Sequence, residues 1–154
     1  MADMSGKVRS EFDAAAAVTL RNVADGAETG ADTDYETAVA LDKLVDAYWD
    51  NGEVADGLIK INVFVTAVTN ANSNAYILLV EACEDSGGTG NVEVARLSVN
   101  PALGAEYYEI YVSSKMIAKL APNADFIRIG VTKTTSGGTP SITYGAWMTY
   151  HGHG

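Results

Sequence analysis

The stretch Leu58-Ile59-Lys60-Ile61-Asn62-Val63-Phe64-Val65-Thr66-Ala67-Val68 decides the fold. Its odd positions Ile59, Ile61, Val63, Val65 and Ala67 are apolar, and Lys60, Asn62 and Thr66 alternate with them, which is the period of a β-strand with one wet face. The turn-forming run Thr69-Asn70-Ala71-Asn72-Ser73-Asn74 follows, and the chain resumes as Ala75-Tyr76-Ile77-Leu78-Leu79-Val80-Glu81-Ala82-Cys83. The two runs predict a hairpin. Its second strand is apolar on both faces until Glu81, which places it centrally, covered on one side by a second sheet and on the other by another segment or subunit.

Towards the C-terminus the pattern repeats in short units. Residues 84–91 are a Gly-rich turn, and Val92-Glu93-Val94-Ala95-Arg96-Leu97-Ser98-Val99 is strand-like, with an apolar set that slips from even to odd positions and predicts a bulge near Ala95. Asn100-Pro101 breaks the chain before a strand in which Tyr108, Ile110 and Val112 share a face. Ser113 or Ser114 then caps one helical turn through Leu120, stopped before Pro122. Residues 125–132 form a strand with Ile127, Ile129 and Val131 inward, and a turn at 135–140 leads to a last strand over 141–150, which can be central despite being terminal.

Towards the N-terminus the signal is weaker. Residues 1–34 read as an arm and loop, with Ser10 capping a short helix through Ala17, a strand over 18–23 and a loop over 24–32; the domain proper spans 35–154. Residues 35–51 fit both a helix capped by Thr33 and a strand with Tyr35, Thr37, Val39 and Leu41 on one side. The strand is favoured to about Leu41, followed by a long connection carrying Tyr48 and Trp49. Several short strands with little helix indicate an all-β antiparallel sandwich, jelly roll first and immunoglobulin-like second.

The 154 residues suit one domain, burying roughly 68–70% of the unfolded surface. Twenty acidic against ten basic residues give a net charge of −10, which disfavours direct nucleic acid binding and favours a basic partner. A single cysteine, Cys83, gives no disulfide framework and reads as a small buried hydrophobe. The first residues lack a signal-peptide core and no apolar run approaches the roughly 18 residues of a membrane span, so a soluble chain without a membrane partner is expected.

Catalytic chemistry finds few candidates. The two histidines, His151 and His153, sit in a Gly-flanked tail without a Cys or carboxylate cluster beside them in sequence, so no metal or other cofactor is expected. No Gly-x-Ser-x-Gly elbow accompanies them. The glycine groups at 87–90 and 137–138 lack the Gly-Lys-Ser/Thr of a phosphate loop, and the acidic pairs lie in polar loops where carboxylates stay ionised. The chain reads as a non-enzyme. Eight tyrosines and two tryptophans against three phenylalanines suit half-wet surfaces, either subunit interfaces or carbohydrate platforms. Tyr107 and Tyr111, opposite Tyr108 and Ile110, are the best interface candidates, and Trp49 and Trp147 are those for sugar stacking.

Residues 123–132, a Gly-rich turn and residues 139–149 together resemble the last hairpin of small jelly-roll cement, or decoration, proteins of tailed bacteriophages. Residues 12–19 and 37–42 look like that family's opening arm and first strand, while the connection over 43–57 is longer. The resemblance implies a structural protein made in the host cytoplasm and carried on the outer capsid surface of the virion. Such a protein is commonly a homotrimer and bridges neighbouring major capsid protein subunits to stabilise the shell. On that reading the contacts to capsid or neighbouring subunit come from Lys7, Arg9, Phe12 and Arg21 of the arm, with Tyr48, Trp49, Tyr107 and Tyr111. The alternative is a carbohydrate-binding β-sandwich module.

Overall fold

The computed structural model describes residues 18–41, 49–50, 53–54 and 57–152. In chain order the strands are β1 (Thr19–Arg21), β2 (Glu28–Thr29), β3 (Thr33–Tyr35), β4 (Val39–Ala40), β5 (Trp49–Asp50), β6 (Glu53–Val54), β7 (Gly57–Val68), β8 (Ala75–Cys83), β9 (Val92–Val99) and β10 (Glu106–Ser113). The helix α1 (Ser114–Leu120) follows, then β11 (Phe126–Thr134) and β12 (Ser141–Gly152). One sheet runs β1-β12-β7-β10, with β2 also on β12. The other runs β3-β11-β8-β9, with β4 also on β11. With β3 and β4 taken as one interrupted strand, and the short β2 and the small β5–β6 pair set aside, the strands lie in the order 1-8-3-6 in one sheet and 2-7-4-5 in the other. That is the jelly roll expected from the alternation.

The predicted central hairpin does not form. β7 pairs with β12 and β10, β8 pairs with β11 and β9, and the turn between them, with positive φ at Asn72 and Ser73, carries the chain from one sheet to the other. Two consecutive strands that both need an apolar face buried satisfy it by facing each other across the core, and alternation alone does not distinguish that from pairing edge to edge. For the same reason β11 and β12, expected as the last hairpin, lie in opposite sheets.

The core is the interdigitation of these inner faces. Ile59, Ile61 and Val63 of β7 and Ile142, Tyr144, Ala146 and Met148 of β12 meet Leu78, Val80 and Ala82 of β8 and Ile127, Ile129 and Val131 of β11, all essentially inaccessible. The terminal strand β12 is central, as its apolar run suggested. The bulge in β9 is at Val94: Val80 opposes Ala95 and Glu81 opposes Glu93, so one extra residue absorbs the slip in periodicity. α1 starts after Ser113, whose hydroxyl makes no capping bond, and ends at Ala121 before Pro122.

The strand reading of residues 35–41 holds, in two pieces. Tyr35 opposes Gly130 and Val39 opposes Ile127, while between them the Ala38 N–H leaves the ladder to donate to the Ser86 carbonyl at 3.1 Å. A Cβ on Gly130 would come within 2.4 Å of the Tyr35 ring and 2.8 Å of the Asp34 carbonyl, so only glycine lets β3 lie this close. Thr19 onward already supplies strands to the sandwich, and the expected loop over 24–32 includes β2. The helix expected at residues 10–17 and most of the 42–56 connection lie outside the described residues, as do Lys7, Arg9, Phe12, Tyr48 and His153.

Candidate functional site

Alternation sends residues 60, 62 and 64 of β7, 107, 109 and 111 of β10, and 145, 147 and 149 of β12 to the outer face of the first sheet. The register sets Tyr107 opposite Phe64 and Trp147 opposite Asn62. The Phe64 and Trp147 rings stack with centroids 5.4 Å apart and planes at 21°, and Phe64 meets Tyr107 at 4.9 Å, tilted by 47°. Offset and tilted rings at these separations are the favourable aromatic arrangements. Beside them, Gly145 leaves room for Val23, whose Cγ2 would lie 2.6 Å from an added Cβ. Thr19, Val23, Phe64, Gly145 and Trp147 thereby frame an outer-face cavity of about 220 Å³.

Polar groups orient the rings. The Tyr107 hydroxyl donates to Asn62 Oδ1 at 2.5 Å, and Asn62 Nδ2 donates to the Trp147 carbonyl at 3.4 Å. The Tyr111 hydroxyl donates to Glu109 Oε2 at 2.6 Å, and Lys60 Nζ lies 3.1 Å from Glu109 Oε1 and 5.9 Å from the Tyr111 centroid. The bond from Tyr111, followed by that from Lys60, holds the Glu109 carboxyl below its ordinary pKa. Tyr111 is 52% and Phe64 38% exposed, whereas Trp147 is 9% exposed. The rings form a part-exposed aromatic platform: Phe64 and Tyr111 meet solvent, while Lys60, Asn62 and Thr149 on the same face are buried.

A second polar constellation lies between the sheet edges. Arg21 of β1 points inward over the Tyr144 ring, 4.8 Å from its centroid. Its Nη1 donates to Glu28 Oε1 at 2.7 Å and to Glu36, its Nη2 to the Gly26 carbonyl at 2.5 Å, and its Nε to the Tyr144 carbonyl at 3.0 Å. Lys133 of β11 pairs likewise with Asp34 at 2.6 Å and Asp32 at 2.9 Å. Burial opposes both cations, but Glu36 first for Arg21 and Asp34 first for Lys133 outweigh it and raise their pKa values. The bond from Lys133 lowers that of Asp34, while burial and then the bond with Glu36 raise that of Glu28. The Tyr144 hydroxyl is buried without a hydrogen-bond partner, and burial pushes its pKa up. Tyr144→Phe removes that unsatisfied group, so stability is expected to be unchanged or to rise by up to about 1 kcal/mol in urea unfolding; a fall of that size would reveal a bond to the hydroxyl.

The structure thus sorts the residues read from sequence. Tyr107 and Tyr111 come together on the outer face. Arg21, expected as a surface contact, is instead 4% exposed and held by its own chain's carboxylates, because the bulged pairing of β1 with β12 turns it toward the core. Trp49 lies in β5, paired with β6 and away from both sheets' ladders. Phe64 was overlooked, although a lone aromatic among Lys60, Asn62 and Thr66 on the wet face was its signal. The carboxylates at 32, 34 and 36 also alternate, the strand-like sign that they share a face. Among the described residues no group of three or more His, Cys, Asp or Glu is placed to hold a metal ion, and no helix is long and apolar enough to cross a membrane.

No protein-family model and no curated protein matches the chain. Among solved structures it is similar to the CBM22-1–GH10 modules of the N-terminal endo-1,4-beta-D-xylanase 10B of Clostridium thermocellum, complexed with xylohexaose. The identity is 17% and the TM-score 0.39, over 89% of this chain and 28% of that one.

Proposed function

We propose that this jelly roll is a structural virion protein, a capsid cement or decoration protein. In this reading it binds the outer surface of the shell as an oligomer, a homotrimer, and bridges major capsid protein subunits. The observation that carries the reading is the strand order, the jelly roll that the resemblance to phage cement proteins implies. The residues of the resemblance, 123–132 and 139–149, largely coincide with β11 and β12, which fill the second place in each sheet. The aromatic platform of Phe64, Tyr107 and Tyr111 supplies a contact surface of the composition found at protein interfaces. Residues 1–17, with Lys7, Arg9 and Phe12, extend that contact, and many copies on a symmetric shell turn a modest single contact into firm retention.

The test is rebinding. Capsids stripped of small accessory proteins are mixed with the full chain and bound copies are counted. Stoichiometric occupancy is expected, with Phe64→Ala and Tyr111→Ala lowering the affinity about tenfold each, in line with roughly 1.4 kcal/mol per anchor. A wild-type chain that leaves capsids bare would sink the reading. The stacked Phe64 and Trp147 rings favour a second one, a carbohydrate-binding module; binding on a glycan array, lost in Phe64→Ala, is its signature.

A further inference from the structure

One edge of the sandwich opens into a cleft. It lies between β1 and the β3–β4 strand, measures about 480 Å³ and is lined by Leu20, Arg21, Asp25, Glu36, Thr37 and Val39. That volume falls within the roughly 300–1,000 Å³ of ligand-sized sites. Leu20 and Val39 make part of the wall apolar, while Asp25 and Thr37 are exposed at the cleft.

Charge at this edge does not balance. Arg21 is held by Glu28 and Glu36, and Lys133 by Asp32 and Asp34, while Asp25 adds a further carboxylate without adding a cation. Arg21 also donates to the Gly26 and Tyr144 carbonyls, so its guanidinium is fixed by its own chain. Behind it the Tyr144 hydroxyl is fully buried, has no hydrogen-bond partner and stands toward the same carboxylates: burial raises its pKa, Arg21 opposes this, and Glu36, Glu28 and Asp34 add to the rise. Glu28 is likewise pushed up, first by burial and then by its bond with Glu36. Such an edge is short of positive charge, and a cleft lined by one sign of charge focuses its field on a ligand of the other. Among the described residues no group of three or more carboxylates is placed to hold a metal ion, and Leu20 and Val39 suit a cation that carries a hydrocarbon stem.

We propose that the cleft between β1 and β4 receives a lysine side chain of a basic partner protein, its ammonium facing Asp25 and Glu36 and its methylenes lying against Leu20 and Val39. Lysine is the match because a flexible apolar stem ending in a compact point charge fits a cleft that is apolar on one side and acidic on the other. The net charge of −10 steers such a partner toward the chain. The proposal requires neither association between copies nor binding to capsids.

A titration followed through the backbone amide NMR signals of the full chain tests it, with the peptide acetyl-Leu-Lys-Leu-amide as probe and its norleucine counterpart as control. The lysine peptide is expected to shift the signals of residues 19–25 and 36–39 and to bind about tenfold more tightly than the norleucine peptide. Asp25→Asn keeps an oxygen to accept from the Asn22 N–H, so it is expected to be folded by circular dichroism. Its affinity for the lysine peptide is expected to fall about fivefold. Glu93→Gln removes the same charge from β9, at the opposite edge of its sheet, and is expected to bind as wild type does. Absence of shifts, equal affinity for the two peptides, wild-type affinity in Asp25→Asn, or an equal loss in Glu93→Gln would each overturn the proposal. So would the same shifts on concentrating the chain without peptide, which would assign the cleft to another copy.

Discussion

Arg21→Met is expected to destabilise the fold by about 3–5 kcal/mol at neutral pH, the usual cost of removing one partner from a buried ion pair. The Arg21 side chain is 2% exposed, and its loss leaves Glu28 and Glu36 facing each other between the sheets. The sign of the pH dependence follows. Burial and the neighbouring Glu36 already raise the pKa of Glu28, and Arg21 is the group that opposes this. Without Arg21 the folded-state pKa rises further above the unfolded one, so the penalty is full above the raised folded pKa and is relieved as the pH falls through it. Urea unfolding of wild type and variant at pH 7 and pH 5 measures this. The gap is expected to narrow at pH 5; an equal gap at both values would show that the carboxylates do not carry the effect.

Ile129→Ala is expected to cost about 2–5 kcal/mol, the range for truncating a fully buried isoleucine. Ile129 is inaccessible, pairs with Val80 across β8, and sits in the middle of the second sheet's inner face. Little can collapse into the space, because the facing β7 and β12 side chains are fixed by their own ladders. The loss is expected as a lower urea midpoint with an unchanged slope. A cost below about 1 kcal/mol would mean that the two sheets are less tightly packed than their burial indicates.

Much of the fold was legible because alternation is a local property. The inward Ile59, Ile61 and Val63, the inward Ile127, Ile129 and Val131, the slip in β9 and the stop before Pro122 each follow from a few neighbouring residues. Pairing was not legible. β7 and β8 read as a hairpin because a polar turn joins two strands, yet whether such strands pair or face each other depends on residues between about 40 and 95 positions away that supply their true neighbours. The candidate site divides in the same way. Tyr107 and Tyr111 were found from their parity within one strand, whereas Phe64 and Trp147 join them only through the registers of β7 with β10 and β12.

Arg21 marks the boundary most clearly. By composition it is a cation on an acidic, loop-rich segment, and a surface role is the natural reading. Only the bulged register with β12 directs it inward, onto Tyr144 and between Glu28 and Glu36. By itself the sequence determined an all-β sandwich and the inner face of nearly every strand, since side chains in a strand must alternate between water and core. The tertiary structure alone decided which strands adjoin, which aromatic rings meet and which charges are buried. Those outcomes depend on long-range register, for which a single strand carries no code.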